Sequence, residues 1–258
     1  MKKYIIDFCV SSNEALGNNA ILLKLKAPGQ MPEMRPGQFV EVKVENEPNT
    51  FLRRPISINY VDRSKNEMWL LVQKVGNGTR KLGELKAGDT LNCVVPLGNG
   101  FDTSAVKGKK VLLVGGGVGV APMLMLGATL KAEGTTPTFL LGARTKDMLL
   151  EQDLFEKNGQ LYVTTEDGTA GEKGFVTNHS ILEKENFDKI FVCGPTPMMK
   201  AVAKFAKSKN ICCEVSLENK MACGLGACLC CVTETQEGHK CVCTDGPVFN
   251  INELAWQI

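Results

Sequence analysis

Leu113-Val114-Gly115-Gly116-Gly117-Val118-Gly119-Val120-Ala121-Pro122 carries an apolar run into a string of glycines and out into a segment with proline near its first turn. A strand, a tight turn and a helix start in that order open a doubly wound α/β unit. Such a turn lets a pyrophosphate approach the backbone at the positive end of a helix. Gly115, Gly116, Gly117 and Gly119 are therefore candidate contacts for a dinucleotide. A Gly-rich turn can also be merely structural, and its position between strand and helix is what favours the ligand reading.

Working outward, apolar strand-like runs follow at residues 111–114, 138–141, 161–164, 190–193 and 212–217, separated by helical stretches at 122–132, 148–157, 177–182 and 198–207. Strands alternating with helices predict a parallel, doubly wound sheet. Before it, short β segments at residues 3–10, 20–25, 38–44, 56–61, 68–74 and 90–95 are punctuated by Pro28-Gly29, Pro36-Gly37, Gly76-Asn77-Gly78 and Gly88-Asp89. Six short strands without a convincing helical period between them predict a small antiparallel barrel. After Glu218 the chain is Gly- and Cys-rich and too short for a core of its own, so a metal cluster is the expected staple. The expected division is 1–103 for the barrel, 104–217 for the α/β domain and 218–258 for the terminal segment.

The composition fits a globular chain. Thirty basic and 28 acidic residues leave a net charge of +2, so no single-sign field recruits nucleic acid or an anionic membrane. Asp7 ends the first apolar run far short of a signal-peptide core, which predicts a cytoplasmic protein. Residues 111–130 carry no charge, but five glycines and an internal proline argue against a membrane span.

Eleven cysteines are present, and Cys223, Cys228, Cys230, Cys231, Cys241 and Cys243 lie close together. Without an export signal, such a grouping points to a metal or iron–sulfur site rather than disulfides. Cys223, Cys228 and Cys231 form C-x4-C-x2-C, the spacing of a plant-type [2Fe–2S] loop whose fourth ligand arrives from farther along. Gly224 and Gly226 let the backbone curl and aim N–H groups at sulfur. Cys230 competes with Cys231, and spacing favours Cys231; for the fourth ligand the residues alone leave Cys241 and Cys243 open. Structural zinc favours paired C-x2–4-C knuckles, and only Cys228-x2-Cys231 is such a pair.

Glu166 and Asp167 follow a strand in Val163-Thr164-Thr165-Glu166-Asp167. Acidic groups there accept hydrogen bonds from a ribose diol and repel a 2′-phosphate, favouring NAD over NADP; the plain alternative is a charged loop. In the barrel, Arg53-Arg54-Pro55-Ile56-Ser57-Ile58 begins a strand and Gly76-Asn77-Gly78-Thr79 follows another. An arginine can pair with a flavin pyrophosphate, a serine can bond the ring edge, and a Gly-Thr turn can donate to phosphate. Cys193, in Cys193-Gly194-Pro195-Thr196-Pro197-Met198, sits where a nicotinamide would come and is equally readable as a small buried hydrophobe. His179 and His239 have no acid–base partners in the sequence and are expected at the surface or on a helix. No hydrolytic or phosphoryl-transfer motif is present.

Taken in order, Arg54-Pro55-Ile56-Ser57, GGGVGVAP, CGPTPM and CGLGACLCC…CTDGP resemble the electron-transfer subunits of type B dihydroorotate dehydrogenases, which are ferredoxin–NADP reductase-like flavoproteins. The likeness spans essentially the whole chain. Its first motifs are shared across the reductase superfamily, whereas the terminal segment is far more restrictive. It implies FAD bound at Arg54, Pro55, Ile56 and Ser57, along Leu71, Val72 and Gln73, and at Gly78 and Thr79. It also implies a cluster on Cys223, Cys228, Cys231 and Cys243, with Cys230 and Cys241 additional to the family's pattern. In that family an FMN-containing catalytic partner oxidises dihydroorotate to orotate in pyrimidine biosynthesis. Electrons pass from FMN through [2Fe–2S] and FAD to NAD⁺, in a heterotetramer of two plus two. Rival expectations are a subunit of an NAD(P)H:ferredoxin or sulfide-type oxidoreductase, and a redox-sensing protein without turnover.

Overall fold

A computed structural model describes residues 2–258. The first six strands are β1 (Tyr4–Leu16), β2 (Ala20–Lys26), β3 (Phe39–Val42), β4 (Arg54–Asp62), β5 (Glu67–Gln73) and β6 (Thr90–Leu97), with the short helix α1 (Asn77–Leu82) between the last two. They close into an antiparallel barrel in the order β1-β2-β5-β4-β3-β6. Alternating residues fill it: Leu23 and Leu25, Val40 and Val42, Leu70 and Val72 are all buried, as a period of two requires. Glu41, between Val40 and Val42 on the outer face, is equally inaccessible at 0% exposure.

The second unit runs β7 (Val111–Gly116), α2 (Ala121–Ala132), β8 (Thr138–Ala143), α3 (Gln152–Asn158), β9 (Gln160–Thr165), β10 (Glu172–Lys173), α4 (Ile181–Lys184), β11 (Lys189–Cys193), α5 (Thr196–Ser208) and β12 (Cys212–Ser216). Three further strands follow: β13 (Val232–Thr235), β14 (Gly238–Cys241) and β15 (Val248–Asn250). The sheet order is β10-β9-β8-β7-β11-β12-β15, with β13 and β14 forming a separate hairpin. Strands β9, β8, β7, β11 and β12 are parallel, and their order reverses between β7 and β11. That reversal opens a crevice at the strands' C-terminal ends, where doubly wound folds take their ligands.

The charge-free run at 111–130 is β7, a turn and α2. Ala121 through Gly127 are all buried, because the helix lies between the sheet and the barrel strand β4. Gly127 is required there, since a Cβ would collide with the ring of Phe139. Among the described residues no helix is long and apolar enough to cross a membrane. Deeper in the sheet, Lys189 Nζ lies 2.6 Å from Glu214 Oε1, and both side chains are under a tenth exposed. Lys189 also donates to the Asp102 carbonyl at 2.8 Å, tying β11 and β12 to the connection leaving the barrel.

Several elements differ from the sequence expectations. Strand β1 continues to Leu16, past a bulge between Val10 and Ser12, pairing first with β6 and then with β2; the polar run Ser11-Ser12-Asn13-Glu14 conceals this. Helix α1 replaces an expected turn. It starts where the Thr79 hydroxyl accepts from the N–H groups of Val75 and Gly76 and donates to the Gly76 carbonyl. Helix α3 begins only at Gln152, after Glu151 at φ +56°. His179 is buried, not at the surface: its Nδ1 accepts from the Ile181 N–H at 3.0 Å, and burial lowers its pKa. His239 is exposed.

The terminal segment is held by more than its cysteines. Strand β15 pairs antiparallel with β12. Val242, Phe249 and Leu254 join a core that also contains Phe39 and Leu97 of the barrel. Asn99, just past β6, donates to the carbonyls of Thr244 and Asp245.

Candidate functional site

Three chemically distinct regions adjoin one another. The first is a cleft of ≈ 680 Å³ at the reversal between β7 and β11, lined by Gly116, Gly117 and Gly119, by Gly194 and Pro195 after β11, by Glu166 after β9, and by Gln73 from the barrel. A Cβ on Gly119 would stand 2.5 Å from the Gly194 Cα, so the turns after β7 and β11 touch through glycine alone. Gly117, at φ +56°, has open space where a Cβ would point. Gly115 lies within β7, facing Val120. Asp167 is directed elsewhere: its carboxylate accepts from the backbone and hydroxyl of Thr169, which hold its pKa low. Cys193 is fully buried behind the glycine contact, and burial drives its thiol pKa well up.

The second region is the outer face of β4 and the start of α1. Strand alternation parts the two arginines. Arg53 turns to the barrel wall, donating to the carbonyls of Glu41 and Asn92 and to the Asn92 side chain. Arg54 turns the other way, to Gly78, where a Cβ would lie 3.1 Å from its Nε. Pro55, Ile56 and Ser57 continue β4 half-buried, and Leu71 and Val72 are buried in β5. Thr79 uses its hydroxyl in the local turn, leaving its backbone as the remaining donor.

The third region is the cysteine loop. The Leu225 N–H points at Cys223 Sγ (3.3 Å), and the Cys243 N–H at Cys231 Sγ (3.4 Å). The N–H of Leu225 is the main cause that lowers the Cys223 thiol to about 6; burial raises that of Cys243 to about 12, with Cys231 beside it. Cys231 and Cys243 are buried, Cys228 and Cys230 exposed and Cys241 intermediate, and all eleven cysteines are unpaired. Leu229 adopts φ +57° just before Cys230, which is exposed, and Cys231, which is buried. Among the described residues no three His, Cys, Asp or Glu side chains converge on a single-ion position. A two-iron cluster asks only two thiolates of each iron. Backbone N–H groups directed at sulfur suit a negatively charged iron–sulfur centre.

The cleft also holds residues to which no ligand role is assigned from sequence, Met198 among them although it closes the CGPTPM motif. Arg144 follows β8, Glu218 follows β12, and Met198 opens α5. Burial raises the Glu218 carboxyl pKa. Their common signal is position, since each lies just beyond the C-terminal end of a parallel strand.

A closed barrel packed on a doubly wound domain, with a cysteine loop against both, defines a chain of the ferredoxin-reductase architecture that unites flavin, nicotinamide and iron–sulfur sites. Residues 7–101 match the family described as "Oxidoreductase FAD-binding domain", 113–204 "Oxidoreductase NAD-binding domain", and 218–255 "Iron-sulfur cluster binding domain of dihydroorotate dehydrogenase B". The chain belongs to the family of dihydroorotate dehydrogenase B electron transfer subunits. It is 41% identical over 251 residues to "Dihydroorotate dehydrogenase B (NAD(+)), electron transfer subunit" of Bacillus cereus (strain Q1), covering 95% of this chain and 96% of that one. The protein of the same name from Geobacillus sp. (strain WCH70) is 41% identical over 223 residues, covering 85% and 86%. A chain solved in work on "flavin-based electron bifurcation via the NADH-dependent reduced ferredoxin-NADP oxidoreductase structure" superposes with a TM-score of 0.88 at 32% identity, covering 96% of this chain and 90% of that one.

Proposed function

We propose that this chain is the electron-transfer subunit of an NAD-dependent dihydroorotate dehydrogenase, passing electrons from a partner's FMN through [2Fe–2S] and FAD to NAD⁺. The observation that carries this reading is the cysteine loop, which lies against the flavin-type barrel in one chain and matches a family specific to dihydroorotate dehydrogenase B. When bound, FAD would supply the conversion between the single electrons that a [2Fe–2S] cluster carries and the two-electron hydride that NAD⁺ takes.

The chain's residues supply position and charge. Arg54, beside Gly78, meets the FAD pyrophosphate, with Thr79 offering its N–H. Pro55, Ile56 and Ser57 border the flavin ring, and Leu71, Val72 and Gln73 support it from β5. Gly115 holds the strand end, while Gly116, Gly117 and Gly119 let NAD approach the α2 turn. Glu166 accepts from the adenosine ribose, and Asp167 shapes the turn that carries it. Cys193 packs behind the nicotinamide. Cys223, Cys228, Cys231 and Cys243 hold the cluster: the C-x4-C-x2-C spacing supports the first three, N–H donors lie at Cys223 and Cys231, and burial favours Cys231 over Cys230 and Cys243 over Cys241. The corresponding divisions are 1–103, 104–217 and 218–258, with β15 crossing back into the α/β sheet. The partner is an FMN-containing catalytic subunit in a two-plus-two heterotetramer, and eleven unpaired cysteines support a reducing cytoplasmic setting.

A second reading, a subunit of an NAD(P)H:ferredoxin oxidoreductase, is favoured by the TM-score of 0.88 to the bifurcating enzyme's chain. Reconstitution separates the two. With an FMN-containing catalytic subunit and dihydroorotate, the chain is expected to support NAD⁺ reduction. If that assay is silent while NADH-dependent ferredoxin reduction proceeds, the second reading replaces the first.

A further inference from the structure

Glu41 is an acidic side chain with no exposure at all, and neither carboxyl oxygen has a hydrogen-bond partner. A buried polar group costs free energy unless something compensates, so an orphan of this kind calls for a functional explanation. Its surroundings come from three elements. On β4 it pairs with Pro55, within the segment proposed to border the flavin, and its own carbonyl accepts from Arg53. On β6 it pairs with Val94, next to a register shift in β3. Above it lies the cysteine loop: a Cβ on Gly224 would stand 2.6 Å from Glu41 Cγ and 3.0 Å from Oε1, so the loop's bare backbone rests on the side chain. The charged and titratable groups acting on it are Arg53, Arg54 and Cys223.

We propose that Glu41 is the positioning residue through which the flavin-carrying barrel sets the reduction potential of the iron–sulfur centre. The inference rests on the reading of Cys223 and its companions as cluster ligands. Cluster potentials follow net charge, hydrogen bonding to sulfur and solvent access. Burial raises the Glu41 carboxyl pKa to about 7; once ionised, as in alkaline buffer, a carboxylate withdrawn from water and pressed against the ligand loop opposes each arriving electron far more than a solvated one does. Glu41 in its ionised form thus holds the cluster potential down, while Arg53 and Arg54 on the adjoining strand limit the effect. Because it reaches the cluster loop from the strand next to the flavin face, one side chain acts on the relative potentials of both centres.

The test is an EPR-monitored redox titration of the purified full chain in alkaline buffer, comparing wild type, Glu41→Gln and Glu41→Asp, with iron, sulfide and flavin content measured on each. Glu41→Gln is expected to keep its iron and flavin and to shift the cluster midpoint to more positive potential, with a smaller shift at the flavin. Glu41→Asp, which keeps the charge, is expected to restore most of the wild-type value. An unchanged midpoint in Glu41→Gln with full iron content overturns the inference. If Glu41→Gln does not retain iron, Glu41→Met, neutral and of similar length, decides; loss of iron from both with flavin retained makes Glu41 structural only. A wild-type chain that binds no [2Fe–2S] centre refutes the ligand assignment instead, so the two failures are distinguishable.

Discussion

Glu151 shows how one residue can be unreadable in sequence and consequential in structure. It stands in an ordinary run, Leu149-Leu150-Glu151-Gln152, yet adopts φ +56° and is buried between the two domains. Its Oε2 accepts from Asn59 Nδ2 at 2.9 Å, and Asn59 also donates to the Ala121 carbonyl at the start of α2. Burial raises the Glu151 carboxyl from 4.5 to about 7, with Asn59 pulling the other way. A carboxyl raised on folding binds its proton more tightly in the native state, so its contribution to stability is fully present below about pH 4.5 and is lost as pH rises through about 7. Glu151→Gln is expected to flatten the stability–pH profile over that window by roughly 2–3 kcal/mol, measured by denaturant unfolding at several pH values. A variant profile parallel to wild type contradicts the assignment. Lys189 makes the complementary case: Lys189→Met strands Glu214 in the sheet and is expected to cost about 3–5 kcal/mol in the same assay, whereas a loss under about 1 kcal/mol, as at an exposed pair, would mean that the pair is solvated.

Among the elements, barrel strands with alternation, sheet strands with unbroken apolar runs, and the helices α2 and α5 with proline in their first turn were legible, and those shaped by tertiary contact were not. The turn between β7 and α2 stood out because glycine is needed where it meets Gly194. The second half of β1 was hidden because Ser11 through Glu14 are polar on a strand that takes two different partners. Helix α1 was hidden because six residues are too few to show a period, and its start depends on the Thr79 hydroxyl. In the cysteine loop, C-x4-C-x2-C pointed to Cys223, Cys228 and Cys231; spacing left Cys241 and Cys243 open, the family resemblance implied Cys243, and in the folded loop Cys243 is buried and Cys241 intermediate. Serine variants test that choice. Cys231→Ser and Cys243→Ser are expected to lose most of the bound iron, and Cys230→Ser and Cys241→Ser to retain it, as read by iron content and visible absorbance. The opposite pattern reassigns the ligands.

For the molecule as a whole, the order of barrel, α/β domain and cysteine segment was readable from motif order, while the way the three interlock was not. Strand β15 returns from the terminal segment to the edge of the α/β sheet, and Phe39 and Leu97 of the barrel share a core with Phe249 and Leu254. No local pattern announces such contacts, because each joins residues far apart in sequence. Their consequence is a fixed arrangement in which the NAD cleft, the flavin face and the cluster loop adjoin within one chain, as electron transfer in series requires. The most direct test is an anaerobic titration of the isolated, cofactor-loaded chain with NADH, following flavin absorbance and the cluster's EPR signal together. Reduction of both centres by NADH, without any partner present, is the predicted result. Reduction of the flavin with the cluster left fully oxidised, or no reduction of either, would contradict a continuous path from nicotinamide through flavin to iron and sulfur.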